Sequence, residues 1–154
     1  MEINPLFDAW ERAWSGRDPG AFAAVCVEAV HYEDPLTPPL VGVDALAGHA
    51  RRLWTAAPDA RVSTTGARLS DGTFACAPCR VAGTHTGPLG RVSATGRAVD
   101  VHALVYAELD DGRFLRVRVF FDAYAAAMAL GVLPKPGTAG ERALLMLRGF
   151  GIRG

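Results

Sequence analysis

Apolar side chains recur every three or four positions near the start of the chain: Leu6, Phe7, Trp10 and Trp14 fall on one stripe of a helix. Asn4 fits its cap and Pro5 its first turn, and Ser15-Gly16 ends it. A second short helix opens at Asp18-Pro19 and carries Phe22, Val25 and Cys26, so the two form a helical hairpin. Val27 to Tyr32 then reads as extended and runs into Glu33-Asp34-Pro35. Pro35, Pro38, Pro39 and Gly42 make the segment Leu36 to Val43 an ordered loop rather than an element. Helical spacing resumes after Asp44, the expected cap of a third helix that reaches about Ala57. Leu46, His49, Ala50, Leu53, Trp54 and Ala57 share its apolar stripe, and Arg51 and Arg52 lie on the other face.

Beyond Pro58 the period shortens to two. Ala60 to Leu69 and Thr73 to Ala82 flank the turn Ser70-Asp71-Gly72, and Ala98 to Leu109 and Arg113 to Asp122 flank Asp110-Asp111-Gly112, which predicts two hairpins. Gly83 to Gly90 between them is glycine-rich and polar. Long strands twist and curl. Helices followed by such a sheet predict a single α+β domain over residues 1–154: a cone-shaped, curled antiparallel sheet with the N-terminal helices packed on its concave face and a cavity between the layers. The core is expected over about residues 4–134. Residues 135–154 form an extension with a last short helix, Glu141 to Phe150, either a cover for the cavity mouth or a face for a partner subunit.

Composition narrows the function. Sixteen basic residues balance sixteen acidic ones, which removes the electrostatic case for nucleic acid or an anionic membrane. The N-terminus lacks the basic and apolar regions of a signal peptide, and no run approaches a membrane span, so the expected location is the cytoplasm. A single Lys, no Gln and abundant Ala, Gly and Arg suggest a GC-rich bacterial genome. Cys76 and Cys79 form a CxxC inside a strand-like run, where positions three apart face opposite ways, and no second pair completes a zinc site; no metal is expected.

Several segments carry a family resemblance. His31-Tyr32-Glu33-Asp34-Pro35, the Gly42-Val43-Asp44-Ala45-Leu46 helix start, Pro58-Asp59, Gly83-Thr84-His85-Thr86-Gly87, Ala94-Thr95-Gly96-Arg97 and Phe120-Phe121-Asp122 occur in this order. Together they resemble the nuclear transport factor 2-like superfamily, in its branch of SnoaL-like polyketide cyclases and ketosteroid isomerase-like proteins. The resemblance implies a hydrophobic, polyketide- or steroid-like substrate in the cone, no metal or organic cofactor, and a homodimer. It implies an intramolecular aldol closure or an isomerisation, with Asp122 as general acid/base at the end of the last long strand; the same fold also serves proteins that only bind such molecules. The His that some cyclases carry before the last hairpin is absent, its place being Ala107.

The residues themselves leave alternatives. Strand alternation sets Val117, Val119 and Phe121 on one face and Arg116, Arg118, Phe120 and Asp122 on the other. Asp122 is therefore either re-aimed into the cavity as the catalytic group or spent as a cap for the helix starting at Ala123. His85, between two threonines, suits an assisting acid/base or a backbone-bonded loop histidine. Tyr32, Asp34, His49, Leu53, Trp54, His102 and Phe120 complete the candidate substrate-binding set. For Asp34 and His49 the competing reading is structural, and for His102 it is a subunit interface.

Overall fold

The computed structural model describes residues 3–149. Helix α1 (Ile3–Gly16) buries Phe7, Trp10 and Trp14, the stripe read from the sequence. Asp18 caps a single 3-10 turn (Pro19–Ala21) by accepting the Gly20 N–H at 2.9 Å, and α2 (Phe22–Val25) follows. The third helix, α3 (Val43–Ala56), starts two residues earlier than expected, with Gly42 rather than Asp44 at its cap and Asp44 inside the first turn.

The sheet has seven strands: β1 (Cys26–Asp34), β2 (Thr37–Val41), β3 (Arg61–Thr64), β4 (Leu69–Ser70), β5 (Phe74–Thr84), β6 (Ala98–Asp110) and β7 (Arg113–Phe121). Their order is β2-β1-β7-β6-β5-β3, with β4 also paired to β5. The family fold expected from the sequence is present, a large curled sheet with helices on one face, and three details correct the expectation. The supposed loop from Leu36 to Val43 contains β2, an edge strand; a proline costs little there because one side of the strand makes no ladder. The supposed strand Ala60 to Leu69 is interrupted into β3 and β4. The sheet is also mixed, since β1 runs parallel to β7 while the other pairs are antiparallel.

The β6–β7 hairpin closes through Asp111 (φ 45°) and Gly112 (φ 72°). Positive φ at both turn residues matches the twist of the flanking strands, which is why an Asp-Gly pair stands there. Because β5 and β7 are both antiparallel to β6, and β1 is parallel to β7, the C-terminal ends of β1, β5 and β7 lie at one end of the sheet.

The core is an aromatic cluster between α1 and the sheet. The ring of Trp10 meets those of Phe114 at 5.1 Å and Trp14 at 5.7 Å, both edge-on. Trp14 in turn meets Phe22 at 5.1 Å. Edge-to-face aromatic pairs add about 0.5–1.5 kcal/mol each beyond the area they bury. Polar bonds fix α1 in place: Ser15 Oγ accepts the Val62 N–H at 3.0 Å, and the Arg68 guanidinium bridges Asp8 and Glu11.

The segment after β5 is tied to the end of α3. The amides of Thr86 and Gly87 both donate to the Ala56 carbonyl at 3.0 Å. A Cβ on Gly87 would stand 1.9 Å from the Thr55 carbonyl oxygen, so only glycine fits. Gly87→Ala is expected to cost about 1–3 kcal/mol of stability through overpacking. A thermal-unfolding midpoint equal to that of the unmodified protein would refute this close approach.

After β7, α4 (Ala123–Leu130) ends on Gly131 in the left-handed region, and α5 (Ala139–Gly149) completes the described chain. Phe150, placed in the last helix by the sequence reading, lies outside the described residues. Leu144, Leu145, Met146 and Leu147 of α5 are exposed, and α5 contributes no wall to the cavity described below.

Candidate functional site

Odd-numbered positions of β5 and β6, and of β7 from Val117 onward, face the helices. Cys79 and Val81, Val99, Val101 and Val105, and Val119 and Phe121 line a cavity of about 190 Å³, closed from the helical side by Trp10, Trp14 and Leu53. Leu36, Leu89, Ala126 and Leu130 also line it. The polar side chains that enter these apolar walls are those of Tyr32, Asp34 and His85, and they sit at the sheet end where β1 and β5 terminate.

Asp34 is the centre of a buried network. Its side chain is only 4% exposed. Oδ2 accepts the Tyr32 hydroxyl at 2.8 Å and stands 2.8 Å from His49 Nε2, while Oδ1 accepts the Leu36 N–H at 2.7 Å. His49, 2% exposed, has Arg52 beyond it, with Nη2 at 3.3 Å from Nδ1. A guanidinium can only donate, so Nδ1 offers its lone pair and the ring hydrogen sits on Nε2, donating to Asp34. Burial pushes the Asp34 carboxyl up, but the His49, Leu36 and Tyr32 bonds outweigh it and hold the group below its ordinary range. Burial, reinforced by the neighbouring Asp34 charge, raises the Tyr32 phenol well above its ordinary value. Asp34 is thus an anion at neutral pH and Tyr32 a donor.

His85 follows directly on β5. Asp59 anchors the preceding residue by accepting the Thr84 N–H at 2.7 Å and its hydroxyl at 2.8 Å. His85 Nδ1 accepts the Thr95 N–H at 3.2 Å, with the Thr95 hydroxyl at 3.1 Å. A backbone amide cannot accept, so the ring hydrogen lies on Nε2, which is buried without a hydrogen-bond partner among the described residues.

The other sequence candidates are placed differently. Asp122 is exposed and accepts the Ala125 N–H at 2.9 Å, capping α4, and it does not line the cavity. Neither bulge nor strand end re-aims it; its even parity carries it to the outer face, and helix capping uses its carboxylate. Asp122→Ala is therefore expected to cost about 0.5–2 kcal/mol of stability while leaving ligand affinity unchanged, as calorimetry would show.

Phe120 (54% exposed) and His102 also lie on the outer face, His102 opposite Arg80 in the β5–β6 pairing. Trp54 is core rather than cavity wall: its indole N–H donates to the Trp14 carbonyl at 2.8 Å and its ring stacks on Phe22. Leu53, Tyr32, Asp34 and His85 line the cavity, and His49 supports it from behind Asp34. Missing from the sequence reading is the assembly of Tyr32, Asp34 and His49 into one network. Its signal was the even spacing of Val30, Tyr32 and Asp34 along one strand face.

Cys79 also lines the cavity, its thiol pushed up to about 11 by burial and the nearby Glu11 charge, so it stays protonated at neutral pH. Among the described residues no three His, Cys, Asp or Glu side chains group as metal ligands, and no helix is long and apolar enough to cross a membrane.

Comparison with known proteins agrees with this architecture. The family described as SnoaL-like polyketide cyclase matches residues 5–130. Among solved structures, TsrD from Streptomyces laurentii superposes with a TM-score of 0.76 at 20% identity, covering 85% of this chain and 96% of its own. A SnoaL-like polyketide cyclase from Agrobacterium tumefaciens gives 0.69 at 17% identity, covering 85% and 99%. A protein of Catenulispora acidiphila with a ketosteroid isomerase-like fold, in complex with trimethylamine, gives 0.72 at 15% identity, covering 82% and 92%. At such identities these likenesses speak for the fold alone. No curated protein sequence matches the chain.

Proposed function

The chain belongs to the SnoaL-like polyketide cyclase family, and from that premise we propose that it is an acid/base enzyme acting on a hydrophobic ketone held in the cone. The observation that carries this reading is the pairing, in one apolar cavity, of an ionised carboxylate with an unpartnered imidazole N–H. Asp34 is the base and His85 the electrophilic partner.

The chemistry balances without a co-reactant. Asp34 takes a proton from the carbon beside a carbonyl, and the resulting enolate oxygen is stabilised by His85 Nε2–H. The enolate carbon attacks a second carbonyl of the same molecule, forming the new carbon–carbon bond. The proton returns from Asp34 to the oxygen released from that double bond. If the proton is instead delivered to another carbon, the outcome is an isomerisation. A carboxylate held at low pKa is a weak base, so the step depends on His85 lowering the energy of the developing oxyanion.

Proton abstraction can be tested before the natural substrate is identified. The protein is incubated with β-tetralone in D2O and the loss of the ketone's α-proton signals is followed by NMR. Protein-dependent exchange, absent after heat denaturation, is the expected result. Binding of the ketone without any exchange would overturn the enzyme reading in favour of a carrier of hydrophobic molecules, a reading favoured by one observation: both Asp34 oxygens already accept internal hydrogen bonds. The proposal includes a homodimer through the outer sheet face, where Leu104 and Phe120 are exposed; sedimentation at micromolar concentration checks it.

A further inference from the structure

Building on the acid/base reading of the cone, we infer that its substrate is an uncharged ketone of one or two rings, anchored by a hydrogen bond from His85 Nε2–H to the carbonyl oxygen. Three independent features of the cavity point to this class.

The first is the orphaned donor. His85 is 2% exposed and lines the cavity, and its Nδ1 is already engaged by Thr95. The Nε2 end, which carries the hydrogen, has no partner among the described residues. A buried donor left without an acceptor is costly, and an acceptor atom on an occupant relieves that cost. Nε2–H cannot accept, so the complementary atom is a lone-pair acceptor, and a ketone oxygen is one.

The second is charge. Asp34 lines the cavity, and among the described residues no Lys or Arg does. A carboxylate ligand would be buried beside a like charge with no cation to meet it, which is strongly unfavourable. A cationic amine fares little better: Asp34 already accepts three internal hydrogen bonds, and His85 turns a donor toward the occupant. A neutral ketone accepts from His85 and leaves the internal hydrogen bonds of Asp34 undisturbed.

The third is size. The cavity holds about 190 Å³. An apolar cavity of roughly 150 Å³ takes a benzene ring, whereas sites for drug-sized ligands run from about 300 to 1,000 Å³. The flat walls given by Trp10, Trp14 and Phe121 suit a ring skeleton. One or two rings match the space between the layers, and a four-ring skeleton would project from its mouth.

The test is a binding series read by ligand-detected NMR: acetophenone, ethylbenzene, benzoate, benzylamine, β-tetralone and a four-ring steroid dione. Acetophenone and β-tetralone are expected to bind, acetophenone about tenfold tighter than ethylbenzene, the ratio one net hydrogen bond supplies. Benzoate, benzylamine and the steroid are expected to bind more weakly than acetophenone. His85→Asn keeps an acceptor for the Thr95 N–H but has no donor at the Nε2 position. It should lower acetophenone affinity about tenfold and leave ethylbenzene unchanged. His85→Gln restores an N–H there and should recover the preference for the ketone.

Equal affinity for acetophenone and ethylbenzene would overturn the inference, as would tighter binding of benzoate, benzylamine or the steroid, or no binding by any probe. These readouts do not depend on turnover. The expected binding pattern without tetralone exchange keeps the ligand class and removes the enzyme, while exchange with the wrong binding pattern does the reverse.

Discussion

Asp34→Asn is expected to slow β-tetralone exchange by on the order of 10²- to 10⁴-fold, the usual contribution of a positioned general base. The amide cannot take the proton, and it also turns an N–H toward donors that need an acceptor. Oδ2 now accepts from Tyr32 and His49, so the substitution also costs stability, about 1–3 kcal/mol. Near-UV dichroism and acetophenone affinity separate the two effects: a folded, ligand-binding variant that no longer exchanges protons supports Asp34 as the base. Undiminished exchange would assign the base to another group.

The pH dependence of the same reaction has a definite sign. The Asp34 carboxyl titrates below its ordinary value in the folded protein, so the base stays ionised on acidification past the point where a free carboxyl, near 3.9, gains its proton. The rate should stay level from neutrality down to about pH 4 and fall only below it. The stabilisation gained from the shifted carboxyl is present above the unfolded value and is lost as the pH drops through the folded one. The stability gap between the unmodified protein and Asp34→Asn should therefore narrow in strong acid.

The largest effect on folding is expected from Trp10→Ala. Trp10 is 2% exposed and packs against Trp14, Phe22, Tyr32 and Phe114. Removing the ring deletes the centre of that cluster and opens the cavity floor, at a cost of about 3–5 kcal/mol, a large part of the roughly 5–15 kcal/mol a domain holds. Urea unfolding measures it. Trp10→Phe retains much of the packing and should fall well short of that loss; equal losses would place the burden elsewhere. Tyr32 belongs both to this cluster and to the Asp34 network, so the core that stabilises the domain also orients the proposed base.

Much of this was visible in the sequence for local reasons. The helix stripes and the two Asp-Gly turns act through near neighbours, so spacing alone located α1, α3 and both hairpins. Parity along β7 set Asp122 on the face opposite Val117, Val119 and Phe121, and the structure finds it there as a cap. β2 was hidden because its prolines forbid a central strand, and only the full sheet order reveals that it is an edge. The Asp34–His49 bond was hidden because it joins the end of a strand to the second turn of the next helix, through a geometry that β2 and Gly42 create. The resemblance drew attention to Asp122, while the cavity walls draw it to Asp34.

The parallel pairing of β1 with β7 also has a kinetic consequence. Cys26 lies opposite Phe114 and Tyr32 opposite Val117, joining the first quarter of the chain to its last third. Closing so long a loop carries an entropic penalty that local hairpins avoid, and folding rates fall as such distant pairings come to dominate. The β5–β6 and β6–β7 ladders can form early from adjacent segments, but β1 has no inner neighbour until β7 has emerged. During synthesis the segment that carries Tyr32 and Asp34 must wait, its apolar face uncovered, until most of the chain has left the ribosome.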